Sequence, residues 1–478
     1  MPMINIEEFR QYGHKFVDWM GDYLENVENF PPKSQVSPGE IRRKIPMLAP
    51  ENSESMDAIF EDFRAVILPG MTHWQSPNFF AYFPGNGSYP SLLAEMLTAT
   101  LGAQCMIWET SPAAAELEER MMEWLKDLMG LPAHMEGVIQ DTASTATLCA
   151  LLSAREDVTD WEINKHGFKH NLRVYASSHI HSSIDKAVKI AGIGHSNLVK
   201  VDCDQHYALV PSALEAAIQQ DLANGKIPCC VIAGIGTTST TAIDPLRSIG
   251  EICKKYNIWL HVDAAYAGTA LALPEMRWIC EGLEYADSLV FNPHKWMFTN
   301  FDCTAYYVKD TYKLLNTFEI MPEYLKTKVD SEVNNYRDWG IQLGRRFRAL
   351  KLWFVLRNYG KAGIREVLRN HIRWAKAQEV RIEAHPDFEI MAPTPLNLVC
   401  FRYNPGGFSL NHLNALNERL LVKLNESGKA YFTHTKLEDQ YVIRWVMGNT
   451  YLEEKHILAA WDLIQATSKS LSSELMIN

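Results

Sequence analysis

Between about residues 138 and 310, short apolar runs alternate with segments of helical character. "LRVYAS" (172–177) precedes "SIDKAVKIAG" (183–192), and "CCVIAGIG" (229–236) precedes "DPLRSIGEICKKY" (244–256). "IWLHVDA" (258–264) and "SLVFN" (288–292) follow. Strand-length apolar runs separated by helix-length stretches predict βαβ units and a mostly parallel sheet. In such sheets ligands bind outside the carboxyl ends of the strands. The residues just after each run are therefore the candidates for chemistry.

The flanks read differently. Phe9, Tyr12, Phe16, Trp19, Tyr23 and Val27 form one apolar stripe at helical spacing, and "NFPPKSQVSPGE" (29–40) breaks it as a linker. That stripe must be covered by its own chain or by a partner subunit. "SPAAAELEERMMEWLKDLMGLP" (111–132) predicts a long helix, with Ser111 as cap, Pro112 in the first turn and Gly130 and Pro132 as stops. Leu117, Met121, Trp124, Leu125 and Leu128 share its apolar face. "RRFRALKLWFVLRNYG" (345–360) is helical again; "NLVCFRY" (397–403) and "QYVIRWVM" (440–447) are strands of a smaller α+β domain.

With 478 residues and 47% hydrophobic content, the chain can fill more than one core. Its net charge of −11 gives no reason to expect nucleic acid as a partner. No apolar run approaches the roughly 18 residues of a membrane span. The start, "MPMINIEEFRQ", lacks a signal-peptide pattern, so a cytoplasmic protein is expected. Cys105, Cys149, Cys203, Cys229, Cys230, Cys253, Cys280, Cys303 and Cys400 show no CxxC pair and no zinc-ligand spacing. They read as reduced thiols, mostly in apolar surroundings, and no metal is expected.

Five strand ends carry reactive or small residues: Asp263; His294 and Lys295; Thr237 and Thr238; His179 and His181; and Thr142, Ala143 and Ser144 at a strand-to-helix turn. Singly, each has an ordinary reading as a cap, a surface lysine, a structural histidine or a common helix start. One cofactor uses the whole set, and that is pyridoxal 5′-phosphate. Its aldehyde takes a lysine amine, and its pyridinium nitrogen takes a carboxylate. Its phosphate takes backbone N–H groups at a helix start with small side chains, and its ring takes a flat group such as an imidazole.

The chain resembles the group II pyridoxal-phosphate decarboxylases, and among them the aromatic L-amino-acid decarboxylases. The resemblance is carried by "SPNFFAYFPGNGSYPSLLAEML", "SPAAAELEERMMEWL", "HVDAAYAG", "FNPHKWMFTNFDC" and "LGRRFRALKLWFVLRNYG", with 32 positions from Asp263 to Lys295. It implies the type I fold of pyridoxal-phosphate enzymes, an α/β architecture whose large domain has a mostly parallel seven-stranded sheet. It implies an N-terminal helical segment (1–85) packing on a partner subunit, a large cofactor domain (86–360) and a small α+β domain (361–478). Lys295 is the implied Schiff-base lysine, Asp263 the partner of the pyridine nitrogen, Ala265 the residue beneath the ring and His181 the stacked residue. Thr142, Ala143, Ser144, Ser288 and Asn292 are the implied phosphate cradle. Thr238 lies beside cofactor and substrate carboxylate, and His294 beside the lysine. Tyr82, Phe83 and Pro84 are the implied wall of the substrate pocket, with Trp74, Gln104, Met106 and Phe301 supplied by the partner of an obligate homodimer. Gly85 and Thr450 depart from the animal pattern of threonine and arginine.

The same resemblance implies decarboxylation of an aromatic L-amino acid (tryptophan, 5-hydroxytryptophan, DOPA, tyrosine or phenylalanine) to an arylalkylamine and carbon dioxide. The alternative on this scaffold is an oxidative aldehyde synthase. "YLKTKVDSEVNNYRDWG" (324–340) reads as a mobile lid that brings Tyr336 to the substrate Cα as proton donor, against an alternative in which Tyr336 packs on "RRFRALKLW". Tyr336 and His181 are the family's markers for amine formation. Gly344 stands where glycine goes with indole substrates and serine with phenolic ones. An aminotransferase would need an arginine clamp, for which Arg337 and Arg345 are open candidates. A non-catalytic scaffold has no need of Lys295, Asp263, His181 and Tyr336 together.

Overall fold

The structure is a computed structural model and describes residues 4–320 and 332–477. The chain forms two units. One comprises Gly85–Arg381 and Ala392–Cys400, the other Met1–Pro84, Ile382–Met391 and Phe401–Asn478.

The larger unit is built on a seven-stranded sheet ordered β1-β7-β6-β5-β4-β2-β3. Its strands are β1 (Glu136–Gln140), β2 (Leu172–Ser177), β3 (Leu198–Val201), β4 (Ile227–Gly234), β5 (Trp259–Asp263), β6 (Ser288–Phe291) and β7 (Thr304–Val308). Only β7 runs antiparallel to its neighbours, β1 and β6. The remaining pairs are parallel, as the alternating pattern predicts. β4 is buried along almost its whole length, and its run of Val and Ile is what a strand covered on both faces requires. Pro228 cannot donate to the ladder, and β2 shifts register beside it between Arg173 and Val174.

This topology gathers the carboxyl ends of β1, β2, β4, β5 and β6 on one edge. The register fixes their spacing: Asp263 faces Val290, Phe291 faces Ala305, and Gln140 faces Thr304. The helix Ala143–Asp157 leaves β1 through Thr142, whose side chain accepts the Thr145 N–H as an N-cap.

The predicted long helix spans Pro112–Met129 and ends at Gly130 in the left-handed region (φ 66°). Two details differ from expectation. Ser111 makes no side-chain cap; its carbonyl accepts the Ala114 and Ala115 N–H groups instead. Trp124 is 40% exposed, and Glu118 joins Met121, Leu125 and Leu128 in the interior. A glutamate enters that face because a cation meets it there. Arg345 donates to Glu118 at 2.6 Å and to the Ile139 carbonyl at 2.8 Å, and Glu118 accepts the Ile139 N–H at 2.8 Å.

The helix Arg348–Glu383 runs through the domain boundary expected at 360. Gly360 (φ 61°, ψ 170°) is non-helical and kinks it there. A second sheet is ordered β10-β11-β9-β8; the smaller unit holds its β8 (Phe388–Ile390), β10 (Thr433–Leu437), β11 (Gln440–Val446) and the Phe401–Tyr403 part of β9 (Leu398–Tyr403). It also holds the N-terminal helix Ile6–Glu25, started by a capping box between Asn5 and Glu8. Phe16 and Trp19 of its stripe meet Phe60 and Phe63, at ring distances of 4.6 and 5.2 Å, while Phe9 stays exposed.

Removing one partner of a buried ion pair leaves the other charge unsolvated, at a cost of about 3–5 kcal/mol. Glu118→Ala is expected to lower unfolding stability by that amount in guanidinium titrations, with Glu118→Gln intermediate. A loss below about 1 kcal/mol would mean that water reaches Arg345 freely.

Candidate active site at the strand ends

The site begins with Lys295. Pro293 starts the short helix Pro293–Trp296 directly after β6, so Lys295 follows the strand by four residues. Two backbone contacts anchor the turn: the Lys295 N–H donates to the Asn292 carbonyl, and the Asn86 side-chain amide donates to the Lys295 carbonyl. Desolvation lowers the lysine pKa from its ordinary value, and the Asp263 charge opposes that shift. Asp263 ends the adjacent strand β5, with one carboxylate oxygen accepting the Ala265 N–H at 3.1 Å. Ala265 in turn accepts the Asn292 N–H at 2.9 Å, which ties the two strand ends together.

His181 follows β2. Its Nδ1 accepts the Ser183 N–H at 3.1 Å and lies 2.7 Å from the Ser183 hydroxyl, so Nε2 carries the proton of the neutral ring. The residue is exposed, yet the surrounding protein lowers its pKa, with Asp263 pulling it up and Lys295 pushing it down. Thr238 lies in the turn after β4. Gly236 (φ 77°) allows that turn, where a side chain would strike Ala267.

The phosphate-sized feature is the start of the helix Ala143–Asp157. The N–H groups of Ala143 and Ser144 have no protein partner among the described residues, and Thr142 and Asn292 stand beside them. The Thr304 hydroxyl makes that adjacency, contacting the Asn292 side-chain oxygen at 2.8 Å and the Asp141 carbonyl at 3.2 Å. With its oxygen engaged, Asn292 presents its amide N–H₂. Two free backbone donors, a side-chain donor, a desolvated lysine and a carboxylate fit pyridoxal phosphate.

Sequence reasoning missed Thr304, Asn86 and the pair Asp141–Gln342, in which the Gln342 amide donates to the carboxylate at 2.7 Å. Thr304 became visible only through the β1–β7 register. Asn86 lies in "GNG", a pattern that reads as a turn.

Other expected residues lie elsewhere. Ser288 is at the opposite end of β6 from Asn292, fully buried, with Trp259 and His261 as partners, so it is no part of the cradle. Tyr336 is buried in an apolar cluster with Val138, Ala146, Trp339 and others, and the Arg345 guanidinium lies 4.9 Å from its ring centroid. Burial raises its phenol pKa far above the ordinary value. The alternative of Tyr336 as a packing residue is what the structure supports. Residues 324–331 of the expected lid lie outside the described residues. Arg345 is committed to Glu118, and Arg337 pairs with Asp338 at 3.0 Å, so neither serves as a carboxylate clamp in this arrangement.

Gln104, Met106 and Gly344 do come together. Gln104 accepts the Arg345 N–H at 2.8 Å, Met106 accepts the Arg337 N–H at 2.9 Å, and a Cβ on Gly344 would lie 3.3 Å from Gln104. Phe301 is exposed, with its ring 4.6 Å from that of His294. Trp74, Tyr82, Phe83 and Pro84 belong to the smaller unit. There Trp74 stacks on Tyr82 at 5.8 Å, and the Arg444 guanidinium lies over Phe83. The expectation that Trp74 and Tyr82 form opposite walls from different subunits is corrected: one chain places them on one face.

His294 is buried beside Lys295, and its Nδ1 accepts the Cys303 N–H at 3.0 Å. Burial first, and then the Lys295 charge, push its pKa down to about 3. The unfolded chain therefore takes up a proton, between about pH 6.5 and 3, that the fold refuses. This contribution to stability is complete above pH 6.5 and lost as pH falls. Relative to His294→Gln, which keeps an acceptor for Cys303, the wild type is expected to lose about 2 kcal/mol of unfolding stability between pH 7 and pH 5. A difference independent of pH would show that His294 protonates within the fold.

Known proteins place this geometry. The pyridoxal-dependent decarboxylase conserved domain matches residues 38–404. Tyrosine decarboxylase 3 of Petroselinum crispum is 42% identical, over 100% of this chain and 95% of that protein. Phenylacetaldehyde synthase of Arabidopsis thaliana is 44% identical, over 97% of this chain and 96% of that protein. The crystal structure of Catharanthus roseus tryptophan decarboxylase in complex with L-tryptophan superimposes with a TM-score of 0.92 at 39% identity, covering 98% of this chain and 100% of that one. A desolvated lysine beside a strand-end aspartate, on a fold shared over its whole length with these enzymes, makes this chain a member of the pyridoxal-dependent decarboxylase family, a carboxy-lyase whose cofactor is pyridoxal phosphate.

Proposed function

We propose that the chain decarboxylates aromatic L-amino acids to the corresponding arylalkylamine and carbon dioxide. The carrying observation is the Lys295–Asp263 pair, in which the lysine is held out of water at the end of β6 and the carboxylate ends adjacent β5. Relatives named for tyrosine and for tryptophan decarboxylation match it at similar identity, which supports an aromatic side chain as the substrate class.

Bound pyridoxal phosphate supplies an aldehyde for imine exchange and a pyridinium ring that takes up the electrons left when carbon dioxide departs. The chain supplies the rest. Lowering its pKa gives Lys295 a larger fraction of free amine, the form that attacks a carbonyl. Asp263, oriented by the Ala265 N–H, accepts the ring N–H and keeps it protonated. The Ala143 and Ser144 N–H groups hold phosphate oxygens at the positive end of their helix. His181 offers a flat face, with its orientation fixed through Nδ1.

The second reading, an aldehyde synthase, gains support from the phenylacetaldehyde synthase relative and from the burial of Tyr336, one of the two expected amine markers. Product analysis with tryptophan, 5-hydroxytryptophan, DOPA, tyrosine and phenylalanine separates the readings. Equimolar amine and carbon dioxide without peroxide is the expected result, abolished in Lys295→Ala together with the cofactor's visible absorbance. Aldehyde, ammonia and peroxide would establish the oxidative reaction. Tyr336→Phe is expected to keep amine as product with kcat within about threefold, because the hydroxyl lies in the core. A switch to aldehyde in that variant would restore Tyr336 as proton donor. Tyr324, the other tyrosine of 324–340, lies outside the described residues; Tyr324→Phe is the companion variant.

We further propose a cytoplasmic homodimer. Tyr89, Leu93, Leu97 and Leu101 of the helix Tyr89–Leu101 recur every fourth residue, and all are exposed. An apolar stripe of that kind on a soluble enzyme marks an interface, and a twofold contact is the commonest. All nine cysteines are unpaired, which suits a reducing compartment. Light scattering is expected to give twice the chain mass for the wild type and a monomer for Leu93→Glu/Leu97→Glu. A wild-type monomer with full activity would exclude the dimer.

A further inference from the structure

The partners of Ser288 point to a role for His261, the first residue of "HVDAAYAG". The Trp259 indole N–H donates to the Ser288 hydroxyl oxygen at 2.9 Å. The same oxygen lies 2.9 Å from Nδ1 of His261, and Nε2 of His261 lies 3.1 Å from the Thr147 hydroxyl. All four residues are buried. Tryptophan can only donate, so the Ser288 oxygen accepts from it, and the His261 ring bridges Ser288 and Thr147 through its two nitrogens, one donating and the other accepting. With a neutral ring the chain of contacts carries no net charge.

Its placement gives it meaning. His261 and Asp263 are two residues apart on β5, so their side chains leave the same face of the sheet. Thr147 is four residues after Ala143 on the helix Ala143–Asp157, one turn along the same face. We propose that His261 is a positioning residue for the cofactor: through Thr147 and Ser288 it fixes the helix that receives the phosphate against the strand that carries the carboxylate for the pyridine nitrogen. The proposal rests on Asp263 and the Ala143 N-terminus holding the two ends of pyridoxal phosphate. The cofactor has a fixed span between phosphate and ring nitrogen, so a helix free to slide on β5 meets both ends at once only part of the time. Binding then loses the corresponding fraction of its strength.

Burial supports the arrangement from another side. It pushes the His261 pKa down to about 4, against the Asp263 charge, so the ring stays neutral near neutral pH. The Tyr306 ring lies beside it in a T-shaped arrangement, with the centroids 6.4 Å apart. A charged imidazole two residues from Asp263 would compete with the pyridinium for that carboxylate; a neutral one does not.

Thr147→Val is nearly isosteric and removes only the hydroxyl, and Ser288→Ala removes the other partner. For each, pyridoxal phosphate affinity by titration of the apoprotein, circular dichroism of the bound cofactor, melting temperature of the apoprotein, KM and kcat are measured. The expected result is a pyridoxal phosphate dissociation constant raised about three- to tenfold, the range one buried hydrogen bond commands. An altered cofactor dichroism band, lowered kcat and KM within about twofold should accompany it. Thr147→Ser should restore wild-type values. Wild-type cofactor affinity and dichroism in both Thr147→Val and Ser288→Ala would overturn the proposal, and a fall in apoprotein melting temperature alone would assign the chain to core stability. If the wild-type apoprotein itself failed to take up pyridoxal phosphate, the cofactor site would fall and this proposal with it. Uptake by the wild type with unchanged variants would sink the proposal alone.

Discussion

A primary amine that must be neutral part of the time has to be kept out of water, and the larger unit is organised around that constraint. Removing a charge from water is disfavoured, so a lysine drawn into a protein interior lowers its pKa. The fold also holds Lys295 through the backbone of its turn. The turn that carries it is clamped at each step. Asn86 donates its N–H to the His294 carbonyl and its side-chain amide to the Lys295 carbonyl. His294 takes the Cys303 N–H, while Trp296 stacks on Tyr266 at 5.0 Å and donates to His371 at 3.0 Å. A turn so fixed lets the Asp263 carboxylate tune the amine from a strand away.

The proposed phosphate end depends on a different requirement. Among the described residues, the cradle contacts at the start of the Ala143 helix include no lysine or arginine; the donors are backbone and amide groups. Neutral donors are directional, so their value depends on placement. That explains why so many side chains here act on other protein groups. Thr304 joins Asn292 to Asp141, Asp141 holds Gln342, and Gln140 donates to the Trp339 carbonyl across a close approach at Gly340. The segment from Trp339 to Arg345 is thereby pinned over the end of β1, and Arg345 carries the attachment inward to Glu118.

These two ends differ in how far the sequence discloses them. The strand ends were legible because a strand end is a local property: an apolar run stops and a polar residue follows. Lys295, Asp263, His181, Asn292 and Thr142 could all be located that way. What a local pattern does not carry is which way a side chain turns, and with what it meets. Ser288 lies in the same short run as Asn292, yet it is at the other end of the strand. Trp124 has the spacing of the buried face, but Glu118 takes the interior because Arg345, more than two hundred residues away, is there to pair with it. Tyr336 follows a polar stretch and looks solvent-facing, but the Arg345 cation and the apolar cluster around Trp339 take it inside. Trp74 and Tyr82 are stacked by a turn whose geometry includes a positive φ at Tyr82, and no periodicity announces that.

The burial of Tyr336 also bears on why relatives named for amine and for aldehyde production match this chain equally well. Both reactions need the amine, the electron sink and the phosphate anchor, and they part only in what reaches the substrate Cα after carbon dioxide leaves, a proton or oxygen. A phenol deep in the core, with its ionised form strongly disfavoured and its ring face occupied by a guanidinium, is a poor source of that proton. His181 differs in placement: it is exposed at a strand end, and its Nδ1 is taken by the Ser183 N–H. A single group of that sort can change without disturbing the sheet, the clamp on Lys295 or the cradle. The choice of product is thus separable from the fold, and about 40% identity over the whole length is compatible with either outcome in a relative.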